Sequence, residues 1–231
     1  MLESLYATGI RVTELITLKV SDVNLPMSFI ICKDAHKERV IPFGKAAKNA
    51  LVRYLGEARE QMIEDKSSDV LFCNFSGAPM SRQGFWKLIK YYAKKAGITM
   101  TECRIYESEG DHHFMTKRFD RVDGKKLHMQ SLGALSHISY QEPGACGYEL
   151  AAMYMKELGI SYKEIEQFYR RMVFNCLAVN QDDHVKNISF IMDRTGKWSL
   201  SPAYDITFSY NPTNKWLRAH QMSVNGKTLG I

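Results

Sequence analysis

Nothing in the cysteine usage of this chain supports a stapled scaffold. The five cysteines, Cys32, Cys73, Cys103, Cys146 and Cys176, are odd in number and widely scattered, and no two form a CxxC pair. A disulfide framework and a structural zinc site are therefore not expected, and reduced thiols in a cytoplasmic setting are. No apolar run approaches the roughly 20 residues of a membrane span, so no membrane partner is expected. Internal repeats and low-complexity tracts are missing too. The opening MLESLYATGIRVTEL lacks the basic-then-apolar layout of a secretory leader and reads like the interior of a domain. Acidic residues are outnumbered, 25 against 31 Lys and Arg, for a formal charge of +6. That excess favours polyanionic partners without requiring one. An apolar fraction of 45% argues against disorder, and 231 residues suffice for one large domain or two small ones.

In the front half, an apolar helical pattern stops at Gly9, and a second short helix starts near Val12 with Thr13 as cap and Leu15, Ile16 and Leu18 on its buried side. Ser28–Cys32 and RVIPF read as the arms of a β-hairpin around the polar DAHKE turn. Residues 45–59 follow as a helix burying Ala47, Ala50, Leu51, Tyr54 and Leu55, then a short strand at Val70–Cys73. The segment SRQGFWKLIKYYAKKAG reads as a serine-capped, basic amphipathic helix ending at Gly97. Arg11, after a glycine turn, and Lys37, at the hairpin tip, are cations of the type that clamps a phosphate; on residue type alone, solvated surface charge is the better reading of both.

The order LYATGIRVTELITLKVSDV, KDAHKERVIPFG, SRQGFWKLIKYYAKKAGI resembles the opening part of the catalytic domain of tyrosine recombinases of the Xer/phage-integrase family, over about residues 1–98. The resemblance implies active-site roles for Arg11 and Lys37 and a local structural role for Glu14. The family also needs a later H-x-x-R, a further His or Trp, and a tyrosine nucleophile. No H-x-x-R occurs past residue 98; His36 to Arg39 is the only numerical match, and it lies inside the hairpin. Without a nucleophile and a leaving-group acid, covalent phosphotyrosine chemistry does not proceed. DNA binding through Arg82, Lys87, Lys90, Lys94 and Lys95 is the activity left to expect; an ordinary solvated helix face is the plain reading of the same lysines.

After Gly97 the character changes. HHFMTKRFDRVDGKKLHMQSL reads as a strand, a turn at Asp123–Gly124 and an ordered segment leading to a helix. Tyr148–Leu158 and Tyr162–Val179 are helical, and Ile188–Met192 and Lys197–Leu200 are short strands around an Arg194–Gly196 turn. The constellation NQDDHVKN, then SPAYD, puts Asp182 five positions before Asn187 and Asp205 beyond a hairpin. Phosphoryl transfer uses such a layout: a carboxylate to accept the attacking hydroxyl's proton, then hard oxygen donors for Mg²⁺. Spacing alone leaves Asp182 and Asp183 both open as the base. Lys186 is placed to stabilise the transferred group, and His184 reads as a structural hydrogen-bonding histidine sooner than as a metal ligand. Loop-forming and capping residues would give the same composition.

HFMTKRFDR, KLHMQSLGAL, FYRRMVFNCLAVNQDDHVKNISFI and WSLSPAYDI together resemble the C-terminal part of HipA-type serine/threonine toxin kinases, over about residues 97–226. The resemblance implies Asp182 as catalytic base, Asn187 and Asp205 as magnesium ligands, Lys186 as the catalytic-loop lysine and His184 as a loop histidine. Lys117, Phe119 and Asp120 fall in the linker between lobes, with Phe119 toward adenine and Asp120 toward the ribose. ATP and Mg²⁺ are the implied cofactors, and a protein Ser/Thr hydroxyl and an antitoxin-like protein the implied partners. The family's phosphate-binding loop and ATP-anchoring lysine have no match, and Lys117 does not supply that lysine. The final HQMSVNGKTLGI reads as if the family's chain ran on into further helices. The expected architecture is α+β: an incomplete recombinase-like helical region with a hairpin (1–97), then a mainly helical kinase C-lobe-like region with short hairpins (98–231). The expected activity is weak or lost HipA-like phosphoryl transfer, with a DNA-binding recombinase remnant as the alternative.

Overall fold

The structure, a computed structural model, describes residues 1–34, 37–63, 65, 67–74, 76–211 and 213–229, without the side chains of Leu2, Tyr6, Asp34 and Lys37. His36 lies outside the described residues. The fold is mixed α+β, as expected from the sequence. Its contacts divide into two units. Unit 1 is Met1–Lys90 with Leu177–Val179 and Thr207–Arg218; unit 2 is Tyr91–Cys176 with Asn180–Ile206 and Ala219–Ile231.

In unit 1, α1 (Leu2–Thr8) ends at Gly9 in the left-handed region at φ +59°, and the Gly9 N–H closes on the Leu5 carbonyl. A side chain is excluded there twice over, by that φ and by space, because a Cβ would lie 2.5 Å from a ring carbon of Tyr210. Helix α2 (Val12–Thr17) starts from Arg11 and not from a Thr13 cap. The Glu14 carboxylate reaches back to the Arg11 N–H at 2.8 Å, and Thr13 is left inside the helix. Strands β1 (Val23–Asn24), β2 (Phe29–Asp34) and β3 (Lys37–Pro42) form an antiparallel sheet in that order, with Ile30 opposite Ile41 and Cys32 opposite Arg39. Alternation puts Ile30 and Cys32 inward, where both are buried.

Helix α3 (Lys45–Arg53) continues through a π-helical stretch, Tyr54–Ala58, into α4 (Arg59–Met62), so this helical region runs past the expected end at Arg59. The expected strand at Val70–Cys73 is reduced to isolated bridges, Lys19 to Val70 and Cys73 to Pro79. Helix α5 (Arg82–Lys95) has the expected serine cap: Ser81 Oγ accepts the Gly84 N–H at 2.9 Å. Leu5, Ile10, Leu15, Leu51, Phe72 and Phe85 are core residues of the unit. Phe208, from the late segment belonging to this unit, meets Phe85 edge-on at 6.3 Å.

Unit 2 contains two small hairpins, β4 (Cys103–Ser108) with β5 (Asp111–Thr116), and β6 (Arg121–Val122) with β7 (Lys125–Lys126). The second turns at Asp123 and Gly124, at φ +49° and +73°, the two positive angles that a tight hairpin turn requires. β8 (His128–Ser131) joins β9 (Ser189–Met192) and β10 (Trp198–Leu200) in a sheet ordered β10-β9-β8. Helix α6 (Leu132–Ser136) is capped by Ser131, and α7 (Tyr148–Glu157) and α8 (Tyr162–Leu177) supply most of the helical mass. Leu132, Ala151, Met155, Phe168 and Phe190 are buried in their common core. α8 stops at Leu177, short of the expected Val179, which itself sits at φ +52°. Among the described residues no helix is long and apolar enough to cross a membrane.

Candidate functional site

The back-half candidates are placed by the end of α8 and by the loops on either side of the β9–β10 hairpin. Val179 turns the chain at φ +52°, and residues 180–184 then lead into a 3₁₀ turn, Val185–Asn187. Asp183 is buried, with every oxygen engaged: Oδ2 faces the Tyr148 hydroxyl at 2.8 Å and His220 Nδ1 at 2.9 Å, and Oδ1 accepts the Gln221 N–H at 2.7 Å. Asp182 differs. Its side chain is 40% exposed, with His184 Nε2 at 3.8 Å from Oδ1. Of the two aspartates that spacing left open, Asp182 is thus the one with a carboxylate accessible to a substrate.

Asn187 donates its amide to the Asp182 carbonyl at 2.8 Å, which turns its amide oxygen the other way. Asn187 and Asp205 line one cleft of about 360 Å³, part of it open solvent, together with Asn175, Asn180, Asp183 and Tyr204. Asp205 is exposed and adopts φ +54°. The segment leading to it is anchored by buried Arg171, which donates to the Ser201 carbonyl at 2.6 Å and whose burial pulls its pKa down to about 10. Lys186 is exposed and stands 3.2 Å from the ring centre of Tyr140, while its carbonyl accepts the Tyr204 hydroxyl at 2.6 Å.

Magnesium fits this donor set in type. Among the described residues no group of three or more His, Cys, Asp or Glu side chains could hold a metal. Mg²⁺, however, is commonly held by one or two protein oxygens plus water and substrate phosphates, and Asp205 and the Asn187 amide oxygen are hard donors on one cleft.

Of the linker candidates, Phe119 meets the segment that leads to Asp205. Phe119 stacks on Tyr204 at 5.7 Å between ring centres. Lys117 Nζ is 3.5 Å from Glu102, with both side chains largely exposed. Asp120 is buried and held by Arg118 at 2.8 and 2.6 Å and by Arg121 at 2.5 Å. The hydrogen bond from Arg118 is the main reason its carboxyl is held down at about 2. A depressed carboxyl stabilises the fold above the ordinary pKa near 4, and that contribution is lost as pH falls toward 2. Asp120→Asn should therefore cost about 1 kcal/mol near neutral pH, a figure discounted because Arg118 is solvent-exposed. The difference should vanish near pH 2. Urea unfolding of both chains across that range tests this, and equal stability at neutral pH would remove the ion pair as a contributor.

In the front half, Arg11 stands exposed at the head of α2, and Lys37 opens β3, its side chain outside the described residues. Glu14 is buried and joins the two elements, accepting the Arg11 N–H and pairing with Arg39 of β3. Glu14→Ala should destabilise unit 1 by about 2 kcal/mol, since it strips both partners. Urea unfolding followed by circular dichroism measures the loss, and an unchanged midpoint would mean that Glu14 does not brace α2. On α5, Arg82, Lys87, Tyr91, Tyr92, Lys94 and Lys95 are exposed.

The two-part character extends to known proteins. The model of the HipA-like C-terminal domain family matches residues 88–229, more than half of the chain, and the chain belongs to that family. The phage integrase family model matches residues 1–112, so the two matches overlap over 88–112. Among curated proteins, tyrosine recombinase XerD of Oceanobacillus iheyensis is 42% identical over 135 residues, 58% of this chain and 44% of the relative. XerD of Listeria innocua is 50% identical over 100 residues, 42% of this chain and 34% of the relative. The chain thus spans less than half the length of either. Among solved structures, the XerA recombinase is 34% identical with TM-score 0.37, over 42% of this chain and 34% of that one. The Shewanella oneidensis HipA, HipB and operator DNA complex is 14% identical with TM-score 0.48, over 73% of this chain and 46% of that one.

Proposed function

We propose that the recombinase-like stretch, residues 1–97 with the basic helix α5, binds duplex DNA through its phosphates without cutting it. The observation that carries this reading is the likeness to XerD recombinases, 50% identity over 100 residues and 42% over 135, beside the phage integrase family's match to residues 1–112. Arg11 and Lys37 occupy the positions of the family's phosphate-contacting cations, and Arg82, Lys87, Lys90, Lys94 and Lys95 extend the positive charge along α5. No H-x-x-R and no tyrosine in the family's setting follows residue 98. A scissile phosphate held by such cations would meet no nucleophile, so association is the activity that remains. Fluorescence anisotropy with a labelled duplex should show salt-sensitive binding that neutralising Arg11 and Lys37 together abolishes. A duplex bound equally by the double variant would remove the reading.

A second reading is favoured by the cleft that holds Asn187 and Asp205. Here the HipA-like part takes Mg²⁺ and ATP, and the ancestral reaction is phosphoryl transfer to a protein Ser or Thr hydroxyl. Bound Mg²⁺ would neutralise charge on the phosphate oxygens. Asp182 accepts the hydroxyl proton, because its carboxylate is accessible while that of Asp183 is fully bonded. Lys186 must leave the Tyr140 ring to approach the transferred group. His184 steadies Asp182, Phe119 offers a ring face to adenine beside Tyr204, and Lys117 and Asp120 complete the linker. No segment matches the family's phosphate-binding loop, so much of the positioning this chemistry needs is lacking and turnover should be weak or lost. An antitoxin-like protein is the regulatory partner this reading implies. Calorimetric titration with a non-hydrolysable ATP analogue should give heat only with Mg²⁺; none from a folded sample would dismiss the reading.

A further inference from the structure

Along the wall of the cleft, five buried side chains form one continuous line of hydrogen bonds. Asn180 Nδ2 donates to the carbonyl of Asp205 at 3.3 Å and to Asn175 Oδ1 at 3.0 Å. Asn175 Nδ2 donates to the Tyr148 hydroxyl at 3.1 Å, and Tyr148 donates to Asp183 Oδ2 at 2.8 Å. His220 Nδ1, 2.9 Å from the same oxygen, ends the line. Tyr148, Asn175, Asn180, Asp183 and His220 are all buried, so a lost partner is costly to replace.

We propose that Tyr148 is a positioning residue, whose hydroxyl braces the Asp183 carboxylate against Asn175 of α8, the asparagine that also orients Asn180 on the Asp205 carbonyl, and so holds metal ligand and base in one geometry. The proposal deepens the magnesium-nucleotide reading and rests on it for those two roles. The polarity of the line leaves Tyr148 no alternative. A backbone carbonyl at one end and an ionised carboxylate at the other only accept. Asn180 must therefore turn its NH₂ toward Asp205, which points its second N–H at Asn175 Oδ1. Asn175 then offers its own NH₂ to the Tyr148 oxygen, and the phenolic proton is left for Asp183. Burial, reinforced by the Asp183 charge, raises the Tyr148 pKa well above its ordinary value, which keeps that proton in place.

What the line holds is conformationally costly. Asp205 sits at φ +54°, in a region that a non-glycine residue keeps only when its surroundings impose it. The Asn180 bond falls on the carbonyl of that residue, and the Asp183 carboxylate pins the residue next to Asp182. Tyr148→Phe removes the link alone, since the ring and its contact with Phe168 at 5.5 Å are retained. An Asn175 N–H then lacks an acceptor and Asp183 keeps only His220 and the Gln221 N–H of its three partners, so both segments should loosen.

Hydrogen exchange on the full chain tests this without any ligand, alongside calorimetry with the Mg²⁺–ATP analogue. The reporters are the amides of Asn180, bonded to the Asn175 carbonyl, and Ala203, bonded to that of Thr99. In Tyr148→Phe they should exchange about tenfold faster while those of β9 stay unchanged, and analogue affinity should fall about tenfold. Phe168→Leu, which loosens packing but keeps the line, should raise exchange across unit 2 without singling out these amides. Uniform or absent changes in Tyr148→Phe overturn the proposal, and so does local loosening with full affinity. A wild-type chain that binds no analogue sinks the underlying reading, while the exchange pattern in Tyr148→Phe, which needs no ligand, still decides whether the hydroxyl braces the two segments.

Discussion

Replacing Asp205 by Asn should abolish magnesium-dependent binding of an ATP analogue, by about 100-fold or more, while leaving the fold intact. The size of the effect follows from how little else there is to hold the ion. Asp205 is exposed and lines the cleft with Asn187, whose contribution is a neutral amide oxygen. Mg²⁺ sheds its water reluctantly and needs charge at its ligands, so losing this carboxylate removes most of the attraction. The fold should survive because the asparagine is isosteric and the Asn180 contact is to the Asp205 backbone, not to its side chain. Calorimetry with and without Mg²⁺ reads the loss directly. Equal binding by wild type and variant would place the nucleotide elsewhere or make its binding independent of the ion.

Reversing charge on α5 should have the next largest effect. With Lys87, Lys94 and Lys95 changed to Glu, DNA affinity at about 50 mM salt should fall far more than at about 200 mM, because each lost phosphate contact removes roughly 0.9 from the slope of log K against log salt. Three contacts lower the slope by about 2.7, a difference of about 40-fold between the two salt concentrations. All three side chains are exposed, so the substitutions should leave the core untouched. A variant that binds less well by the same factor at every salt concentration would point to a folding defect and not to lost phosphate contacts.

Much of the fold was legible because local chemistry dictates it. Gly9, the Ser81 cap and the Asp123–Gly124 turn each announce a backbone geometry that few other residues tolerate, and the structure has all three. Helices α7 and α8 and the β9–β10 hairpin follow from apolar periodicity over a buried face. β4 escaped notice because the β4–β5 hairpin is mostly exposed, and a strand without a buried face leaves no alternating pattern. Thr13 was the natural cap by residue type, but Glu14 reached the Arg11 N–H, and a side chain three residues on is easily overlooked.

For the site, spacing put Asp182, Asn187 and Asp205 on one loop system and left Asp182 against Asp183 open. What separates them is burial and the partners of Asp183, Tyr148 and His220, which lie 35 and 37 positions away. No local pattern encodes such a pairing. The same holds for Asn175 and Asn180, which read as ordinary residues at a helix end until their bonds to Tyr148 and Asp205 are seen. The join between the two resemblances hides a further fact. Thr207–Arg218, within the stretch that matches the HipA-like family, packs in unit 1, with Phe208 on Phe85 and Tyr210 against Gly9. A boundary drawn along the sequence cannot express an exchange of that kind.

The most direct measurement is an anisotropy titration of the purified chain with a labelled duplex at several salt concentrations, with a recovery assay for covalent protein–DNA adduct on the same samples. Binding should weaken steeply as salt rises, with no adduct at any concentration. Salt-independent binding, no binding from a folded sample, or a covalent adduct would each contradict the proposed DNA-binding function.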